Sequence, residues 1–274
     1  MGLRLGAWVI STNLIFLVIA GTYFVAISLK RLRSEPGFSS GEARLIVSFA
    51  GAAGLMGALI YGQVGPWLEP AAGNLDVVPY RLQLQFGSFG GYWGALLGGA
   101  MASLMARRPV FPSLDALVPG VIVGGAVARF ADVLAGTNPG IHITLAGVPV
   151  LRCWGELDIA SLLFLLYITN RLMKKRGKTS LPGSVVITFL VGYGALRFTA
   201  EHFRDTMRPH GALTCGQMLA LAQTTMGLCL FKLSRATARI LGVNTVQCSN
   251  ISVCCRADGD AETTGKHSCA FRRI

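Results

Sequence analysis

The sequence predicts an all-α, polytopic membrane protein with about seven transmembrane helices. Of its 274 residues, 52% are hydrophobic and only 14% are charged, whereas a soluble domain carries roughly 25% charged residues. The apolar residues occur in blocks of about 20, the length needed to cross a hydrocarbon core of roughly 30 Å. Basic clusters lie beside these blocks, a distribution typical of a chain whose orientation in a bilayer is set by charge.

The basic clusters also predict the orientation of the chain. Positively charged short loops stay in the cytoplasm, so we expect an inner-membrane protein with its N-terminus outside and its C-terminus cytoplasmic. The net charge of +12 therefore lies at the bilayer surface, which argues against nucleic acid as a partner. The clusters lie within residues 30–33, 107–108 and 171–178.

Each apolar block is expected to form one membrane span. Residues 1–233 would then form the transmembrane domain, and residues 234–274 a polar, basic, cytoplasmic tail without regular structure. The fifth block is short by strict count but reaches a basic run. The expected spans are 7–29, 45–61, 84–105, 112–135, 156–168, 183–203 and 213–233.

The seven cysteines show neither the spacing of a zinc site nor that of a disulfide framework. Cys153, Cys215 and Cys229 lie in or beside apolar segments, where cysteine behaves as a small hydrophobic residue. The sequence also shows no glycine-rich nucleotide loop and no Ser-His-Asp order. We therefore expect neither a metal nor a cofactor.

Glycines recur every four residues in the third apolar block, at Gly90, Gly94 and Gly98. Small residues at this spacing let helix backbones approach closely in lipid, which accounts for most of them. The Gly90–Gly91 pair has an alternative interpretation, because it would leave room for a ligand near the outer end of its helix.

Ionisable residues inside the apolar blocks indicate a functional site. An arginine at the centre of a membrane span costs roughly 2.5 to 3.5 kcal/mol, so such residues usually face the interior of the bundle. Arg129 and Asp132 lie at i and i+3 in the fourth block, where they can pair on one helix face. The alternative is a purely structural ion pair that joins two helices.

A stronger cluster lies in residues 193–204. Arg197, Glu201 and Arg204 lie at i, i+4 and i+7, so one helical stripe would let Glu201 bridge both guanidiniums. Arginine presents a rigid fork suited to two phosphate oxygens. When Arg129 and Asp132 are added to this cluster, the sequence predicts three arginines and two acids at one depth near the outer surface. Their surplus positive charge would bind an anionic phospholipid headgroup.

These segments resemble the prolipoprotein diacylglyceryl transferase family of bacterial inner membranes, best over residues 87–231. Their order, spacing and topology carry the resemblance, whereas the first 80 residues are similar only in hydropathy. The similar segments are Gly192-Tyr-Gly-Ala-Leu-Arg197-Phe-Thr-Ala-Glu201-His-Phe-Arg204, Gly216-Gln217-Met-Leu, Ser88-Phe89-Gly90-Gly91-Tyr92-Trp-Gly, and Arg129-Phe-Ala-Asp132 with Gly136 and Gly140.

The resemblance implies transfer of a diacylglyceryl group from phosphatidylglycerol to the lipobox cysteine of a prolipoprotein signal peptide, with release of glycerol phosphate. It implies that Arg129 binds the headgroup and that Arg197 binds or polarises the phosphate. Glu201 and Arg204 would orient the phosphate. Substrate-binding roles are also expected for Gly90, Gly91, Tyr92 and Gly140.

The sequence departs from the family pattern where a proton acceptor is needed. Phe89 stands where the family usually has a histidine, directly before the paired glycines. Asp132 replaces an asparagine and Thr137 a glutamate. Because the thiol must lose its proton to become a nucleophile, Asp132, Glu201 or Tyr92 would have to take over that role, with Asp132 among the expected catalytic residues.

Two other functions remain open. A non-catalytic relative would keep the arginines to hold an anionic phospholipid, and the missing histidine favours that interpretation. A lipid or anion transporter is the third alternative, but the sequence has neither inverted repeats nor paired broken helices of the kind that mark transporter sites. The oligomeric state is not predicted.

Overall fold

The seven expected helices are present, which confirms the all-α fold. The computed structural model describes residues 2–5, 8–68, 87–135, 143–145, 148–150, 154–175, 181–203 and 213–240. The helices within these ranges are α1 (Thr12–Ser34), α2 (Ser40–Leu68), α3 (Ser88–Met105), α4 (Val110–Ala135), α5 (Trp154–Lys175), α6 (Ser184–Ala200) and α7 (Cys215–Ile240).

Two short antiparallel hairpins were not expected. Strand β1 (Gly2–Leu5) pairs with β2 (Trp8–Ser11), and β3 (Ile143–Leu145) pairs with β4 (Val148–Val150). The first hairpin moves the start of the first helix from residue 7 to Thr12. β2 is rich in aromatic and β-branched residues, which fit a pleated strand better than a helix.

Several helices extend beyond the apolar blocks from which they were predicted. α2 begins at Ser40 instead of residue 45, and α5 continues to Lys175 instead of ending at residue 168. α7 runs past Ser234 to Ile240, so the expected boundary of an unstructured tail at residue 234 is wrong. Lysine, arginine and alanine at these ends are good helix formers, so the helices extend beyond the apolar residues from which the spans were predicted.

The exterior of the bundle is apolar, as expected for a membrane protein. Among the described helices, three are long and apolar enough to cross a bilayer, by length and composition: Leu14–Ser34, Ser40–Val64 and Val110–Leu134. α6 is a shorter apolar helix. Large side chains such as Val18 (62% exposed) and Leu104 (66% exposed) point away from the bundle. The chain is therefore a polytopic membrane protein, and its orientation stays a prediction.

Glycines bring the backbones of α2 and α3 into direct contact. A Cβ at Gly90 would collide with the carbonyl group of Gly57, and a Cβ at Gly94 would collide with the carbonyl group of Ala53. A Cβ at Gly98 would lie 2.7 Å from the carbonyl oxygen of Phe49. The glycine spacing therefore serves helix packing in these positions, as the sequence predicted for most of the glycines.

A buried carboxylate fixes the start of α6 against α4. Asp115 of α4 is 0% exposed, and its two oxygens accept the backbone N–H groups of Gly183 and Val186, each at 2.8 Å. A carboxylate at a helix N-terminus satisfies free N–H groups and favours the helix dipole. This contact joins the starts of α4 and α6, the two helices that carry Arg129 and Arg197 near their other ends.

Candidate functional site

A cluster of buried charges lies where α4, α5 and α6 meet. Arg129 on α4, Asp158 on α5 and Arg197 on α6 are 6%, 0% and 3% exposed. Oδ2 of Asp158 lies 2.8 Å from Nε of Arg129 and 3.2 Å from Nη1 of Arg197. One carboxylate oxygen thus joins guanidiniums from two different helices, and the close packing of α5 against α4 and α6 holds this geometry.

Arg129 is held on three sides. Its Nη1 pairs with Oδ2 of Asp132 at 2.9 Å, which confirms the ion pair predicted from their i, i+3 spacing. Its Nη2 donates to Oγ of Ser88, the first residue of α3, and its Nε faces Asp158. The guanidinium therefore also ties α3, α4 and α5 together, so it combines a structural role with its position in the cluster.

Arg197 lies between an acid and an aromatic ring. Its Nη2 pairs with Oε2 of Glu201 at 3.1 Å, as the i, i+4 spacing predicted. The guanidinium carbon lies 5.5 Å from the ring centroid of Phe89, a cation–π distance. Phe89 is 3% exposed. Phe89 therefore packs on the arginine, and its phenyl ring supplies no proton acceptor.

The N-terminus of α7 faces Glu201. A Cβ at Gly216 would lie 2.8 Å from Oε1 of Glu201, so a residue without a side chain lets the carboxylate approach the first turn. Helix N-termini stabilise negative charge. The turn is closed by a capping box: the Thr214 N–H donates to Oε1 of Gln217 at 2.9 Å, and the Gln217 N–H donates to Oγ1 of Thr214 at 3.1 Å.

The predicted helical stripe is interrupted after Arg197. α6 ends at Ala200, and Glu201–Phe203 form a 3-10 turn. The α-helix that carries Arg197 therefore ends before Glu201, and the stripe predicted for one continuous α-helix is not formed. Arg204 lies outside the described residues, as does Gly140, and the roles expected for both stay predictions. A tighter turn changes side-chain directions, which sequence spacing alone does not reveal.

The expected surplus of positive charge stays a prediction, because Arg204 lies outside the described residues. Two guanidiniums, of Arg129 and Arg197, face three carboxylates, of Asp132, Asp158 and Glu201. The sequence reasoning missed Asp158. Its signal was an acid inside the fifth apolar block, the same signal that identified Arg129, but only the packing of α5 shows which neighbours it meets.

The glycine pair of α3 faces α2. Gly90 packs on the backbone of Gly57, and a Cβ at Gly91 would be in ordinary contact with Cβ of Ala58, at 3.5 Å. This placement favours helix packing over the substrate-binding role expected for Gly90 and Gly91.

Tyr92 lines the interior beside the charges. It is 5% exposed and packs edge-on against Tyr193, with ring centroids 5.0 Å apart. Its hydroxyl group lies against Gly125, where a Cβ would collide with it. Its electrostatic neighbours include Asp158 and Arg129. Tyr92 thus lies in the wall of the cluster, and a role in substrate binding stays a prediction.

All these residues lie at one end of the bundle. Ser88, Asp158 and Gly216 are near the N-terminal ends of α3, α5 and α7, while Arg129 and Arg197 are near the C-terminal ends of α4 and α6. Within the described residues, no group of three or more His, Cys, Asp or Glu side chains is arranged to hold a metal ion.

The fold and the site define a polytopic membrane protein with a buried arginine–carboxylate cluster at one end of its helix bundle. Such a cluster is suited to an anionic group that enters from the lipid. The profile of the prolipoprotein diacylglyceryl transferase family matches residues 4–233. The chain belongs to this family. The match includes the first helices, for which the sequence showed similarity only in hydropathy.

Individual relatives have low sequence identity to this chain, but the aligned region covers most of each relative's length. The phosphatidylglycerol–prolipoprotein diacylglyceryl transferase of Dechloromonas aromatica is 25% identical over 242 residues, covering 78% of this chain and 86% of the relative. The enzyme of that name from Methylibium petroleiphilum is 29% identical over 242 residues, covering 80% and 89%. That from Cereibacter sphaeroides is 28% identical over 221 residues, covering 67% and 76%.

Proposed function

We propose that this chain is a diacylglyceryl transferase of the bacterial inner membrane. Its donor is phosphatidylglycerol, and its acceptor is the lipobox cysteine in the signal peptide of a prolipoprotein. One observation carries the proposal: guanidiniums from two helices converge on a single carboxylate oxygen, at 2.8 and 3.2 Å. The same convergence suits an oxygen of a phosphodiester, and the names of the relatives supply the substrates.

The transfer is a substitution at carbon. The thiolate sulfur attacks the glyceryl carbon that carries the phosphate ester, so a C–S bond forms as the C–O bond breaks. The electron pair of the broken bond stays on the phosphate of the departing glycerol phosphate. Because the phosphate gains charge in the transition state, preorganised guanidiniums stabilise the transition state more than the ground state.

Each charged residue has a part in this scheme. Arg129 and Arg197 bind the phosphate, and Arg197 stabilises the leaving group. Glu201 holds Arg197 in place through the ion pair at 3.1 Å. Arg204 adds a third guanidinium, and Gly140 and Tyr92 shape the space for the lipid.

Asp132 is the acid that takes the proton of the acceptor thiol. Its side chain is 29% exposed, whereas the side chains of Asp158 and Glu201 are 0% exposed. An acceptor peptide that enters from the outer leaflet therefore reaches Asp132 before the other two. A carboxylate is a weak base for a thiol, so transfer is expected to be slower than with a histidine in the site.

A transfer assay tests the function. Purified protein in nanodiscs is given phosphatidylglycerol and a lipobox peptide, with a peptide carrying serine in place of the cysteine as the control. We expect a thioether-linked diacylglyceryl product from the cysteine peptide alone. Absence of that product under conditions where the protein is folded and binds the lipid would overturn the enzymatic proposal.

A second candidate function is a non-catalytic lipid-binding protein, which the position of Phe89 favours. Here the same arginines hold phosphatidylglycerol without transfer. This function predicts saturable binding of phosphatidylglycerol, lost in Arg129→Ala, together with no thioether product. The assay therefore separates the two candidates with the same preparation.

A further inference from the structure

We propose that the hydroxyl groups of Tyr92 and Tyr193 bind the acyl ester carbonyls of the donor lipid, one helical turn from the arginine cluster toward the middle of the bundle. There the tyrosines donate hydrogen bonds to the carbonyl oxygens of the diacylglyceryl group. The inference rests on the proposed function, in which the phosphate lies at Arg129 and Arg197. It adds a site that recognises the diacyl part of the lipid.

Both tyrosines lie one turn from the arginines, on the side that faces the middle of the bundle. Tyr193 precedes Arg197 by one turn on α6. The hydroxyl group of Tyr92 lies against Gly125, which precedes Arg129 by one turn on α4. One such turn of four residues rises about 6 Å. Because α4 and α6 both run toward the cluster, two separate helices place the tyrosines at the same level.

The two hydroxyl groups are buried, and neither makes a hydrogen bond of ordinary geometry within the part of the chain that the structure describes. Tyr92 is 5% exposed and Tyr193 is 0% exposed. The hydroxyl groups are close enough to influence each other, but a hydrogen bond between them would use only one of the two O–H groups. Buried tyrosine hydroxyls usually have a partner. At least one donor is therefore left for an oxygen of a ligand.

Aromatic rings hold the two tyrosines in place. Phe189 stacks on Tyr193, with ring centroids 5.7 Å apart and 8° between the ring planes, and it packs edge-on against Tyr92 at 5.8 Å. Phe189 is 0% exposed. A donor in such an apolar wall forms a stronger hydrogen bond than in water. The wall therefore suits a ligand that is apolar except for isolated acceptor oxygens, which is the chemistry of a diacylglyceryl group.

The donor lipid carries acceptors where the tyrosines lie. Its ester carbonyls are a few covalent bonds from the phosphorus, on the side of the acyl chains. A carbonyl oxygen accepts hydrogen bonds and donates none, so it complements a phenolic O–H. When Arg129 and Arg197 hold the phosphate and the acyl chains extend toward the middle of the bundle, the carbonyls reach the level of the two tyrosines.

Binding of two lipids that differ only in these carbonyls tests the inference. Short-chain phosphatidylglycerol is compared with its diether analogue, which has alkyl chains in place of the acyl chains, in detergent micelles without other lipids. One neutral hydrogen bond changes an affinity about 2- to 13-fold, so we expect the wild type to prefer the diester lipid by at least this factor. Tyr92→Phe keeps the ring and removes the hydroxyl. It should weaken binding of the diester lipid about 2- to 13-fold and leave binding of the diether lipid unchanged.

Tyr23→Phe is the matched control. Tyr23 is 52% exposed on α1, so its side chain faces away from the bundle. Its neighbours Ala20 and Phe24 contact Gly124 of α4, which places it at a similar depth. This variant should keep the lipid preference of the wild type. Equal weakening of both lipids by Tyr92→Phe would mean that the hydroxyl only supports the packing, and would overturn the inference.

Tyr193→Phe is a second variant, in case Tyr92→Phe does not fold, and it should reduce the preference in the same way. The wild type alone is also decisive, because equal dissociation constants for the two lipids would overturn the inference. Equal constants with active transfer leave the proposed function intact. A preference for the diester lipid without transfer supports the inference and favours the non-catalytic lipid-binding protein. Absence of binding of either lipid refutes the proposed phosphate site, and the inference with it.

Discussion

The guanidinium carbon of Arg197 lies 5.5 Å from the ring centroid of Phe89, so an aromatic face supports the arginine. The same ring lies 6.1 Å from the ring of Tyr193, measured between centroids. Arg197 is thereby held from one side by an ion pair and from the other by packing.

Removal of this ring is expected to weaken the placement of Arg197. A cation–π contact contributes about 0.5 to 2 kcal/mol, so Phe89→Leu should lower kcat/KM about 2- to 30-fold without preventing membrane insertion. Phe130→Leu is the control, because Phe130 also lies near the site on α4 but is 47% exposed. Equal activity of Phe89→Leu and wild type would show that the ring does not position the arginine.

Arg197→Ala should abolish lipid-dependent transfer. Loss of one preorganised donor to the developing charge costs about 10²- to 10³-fold in rate, and the substitution also leaves buried Asp158 with one guanidinium. The control is Arg31→Ala, because within the described ranges Arg31 donates only to a neutral amide oxygen, that of Asn170, at 2.9 Å near the other end of α5. Unchanged transfer by Arg197→Ala would refute the phosphate site.

Arg204→Lys should be more damaging than its retained charge suggests. Lysine is a point charge and loses the two-pronged contact of a guanidinium with phosphate oxygens. We expect about a tenfold or greater fall in kcat/KM, measured in the transfer assay over a range of phosphatidylglycerol contents. Activity equal to that of the wild type would indicate that only the charge of Arg204 matters.

Asp115→Ala should destabilise the bundle at the end opposite the cluster. The substitution leaves the N–H groups of Gly183 and Val186 without their carboxylate. Loss of a helix cap costs about 0.5 to 2 kcal/mol, so the thermal unfolding midpoint in detergent should fall. Asp115→Asn keeps one oxygen acceptor and should lie between Asp115→Ala and the wild type. Equal midpoints for all three proteins would mean that the cap does not stabilise the fold.

Substitution by alanine should have different effects on stability at Gly91 and Gly94, which lie about one turn apart on α3. At Gly94 a Cβ would collide with the backbone carbonyl of Ala53, whereas at Gly91 it would be in ordinary contact, at 3.5 Å. Overpacking of this kind costs about 1 to 3 kcal/mol, so Gly94→Ala should unfold at a lower temperature and Gly91→Ala should resemble the wild type.

The same pair of variants tests the alternative interpretation of Gly91. If Gly91→Ala is as stable as the wild type but no longer transfers the diacylglyceryl group, the space beside Gly91 belongs to the substrate. Full activity of Gly91→Ala would leave helix packing as its role.

Local patterns in the sequence were sufficient for the seven helices and for two ion pairs. Arg129 pairs with Asp132, and Arg197 pairs with Glu201, because i, i+3 and i, i+4 neighbours share a helix face. The ends of the helices were less predictable. Hydropathy indicates only where the apolar residues end. α7 continues to Ile240 because polar and charged residues with good helix propensity can extend a helix beyond its apolar part.

The sequence by itself determined a multi-span membrane protein with charged groups inside its helices, because the length of an apolar block and the cost of a buried charge are local properties. Only the tertiary structure decided that Asp158 joins Arg129 to Arg197 and that acids outnumber arginines among the described residues of the cluster. It also decided that Phe89 supports Arg197. These relationships join residues far apart in the chain, and they exist only because α3, α4, α5 and α6 pack against one another.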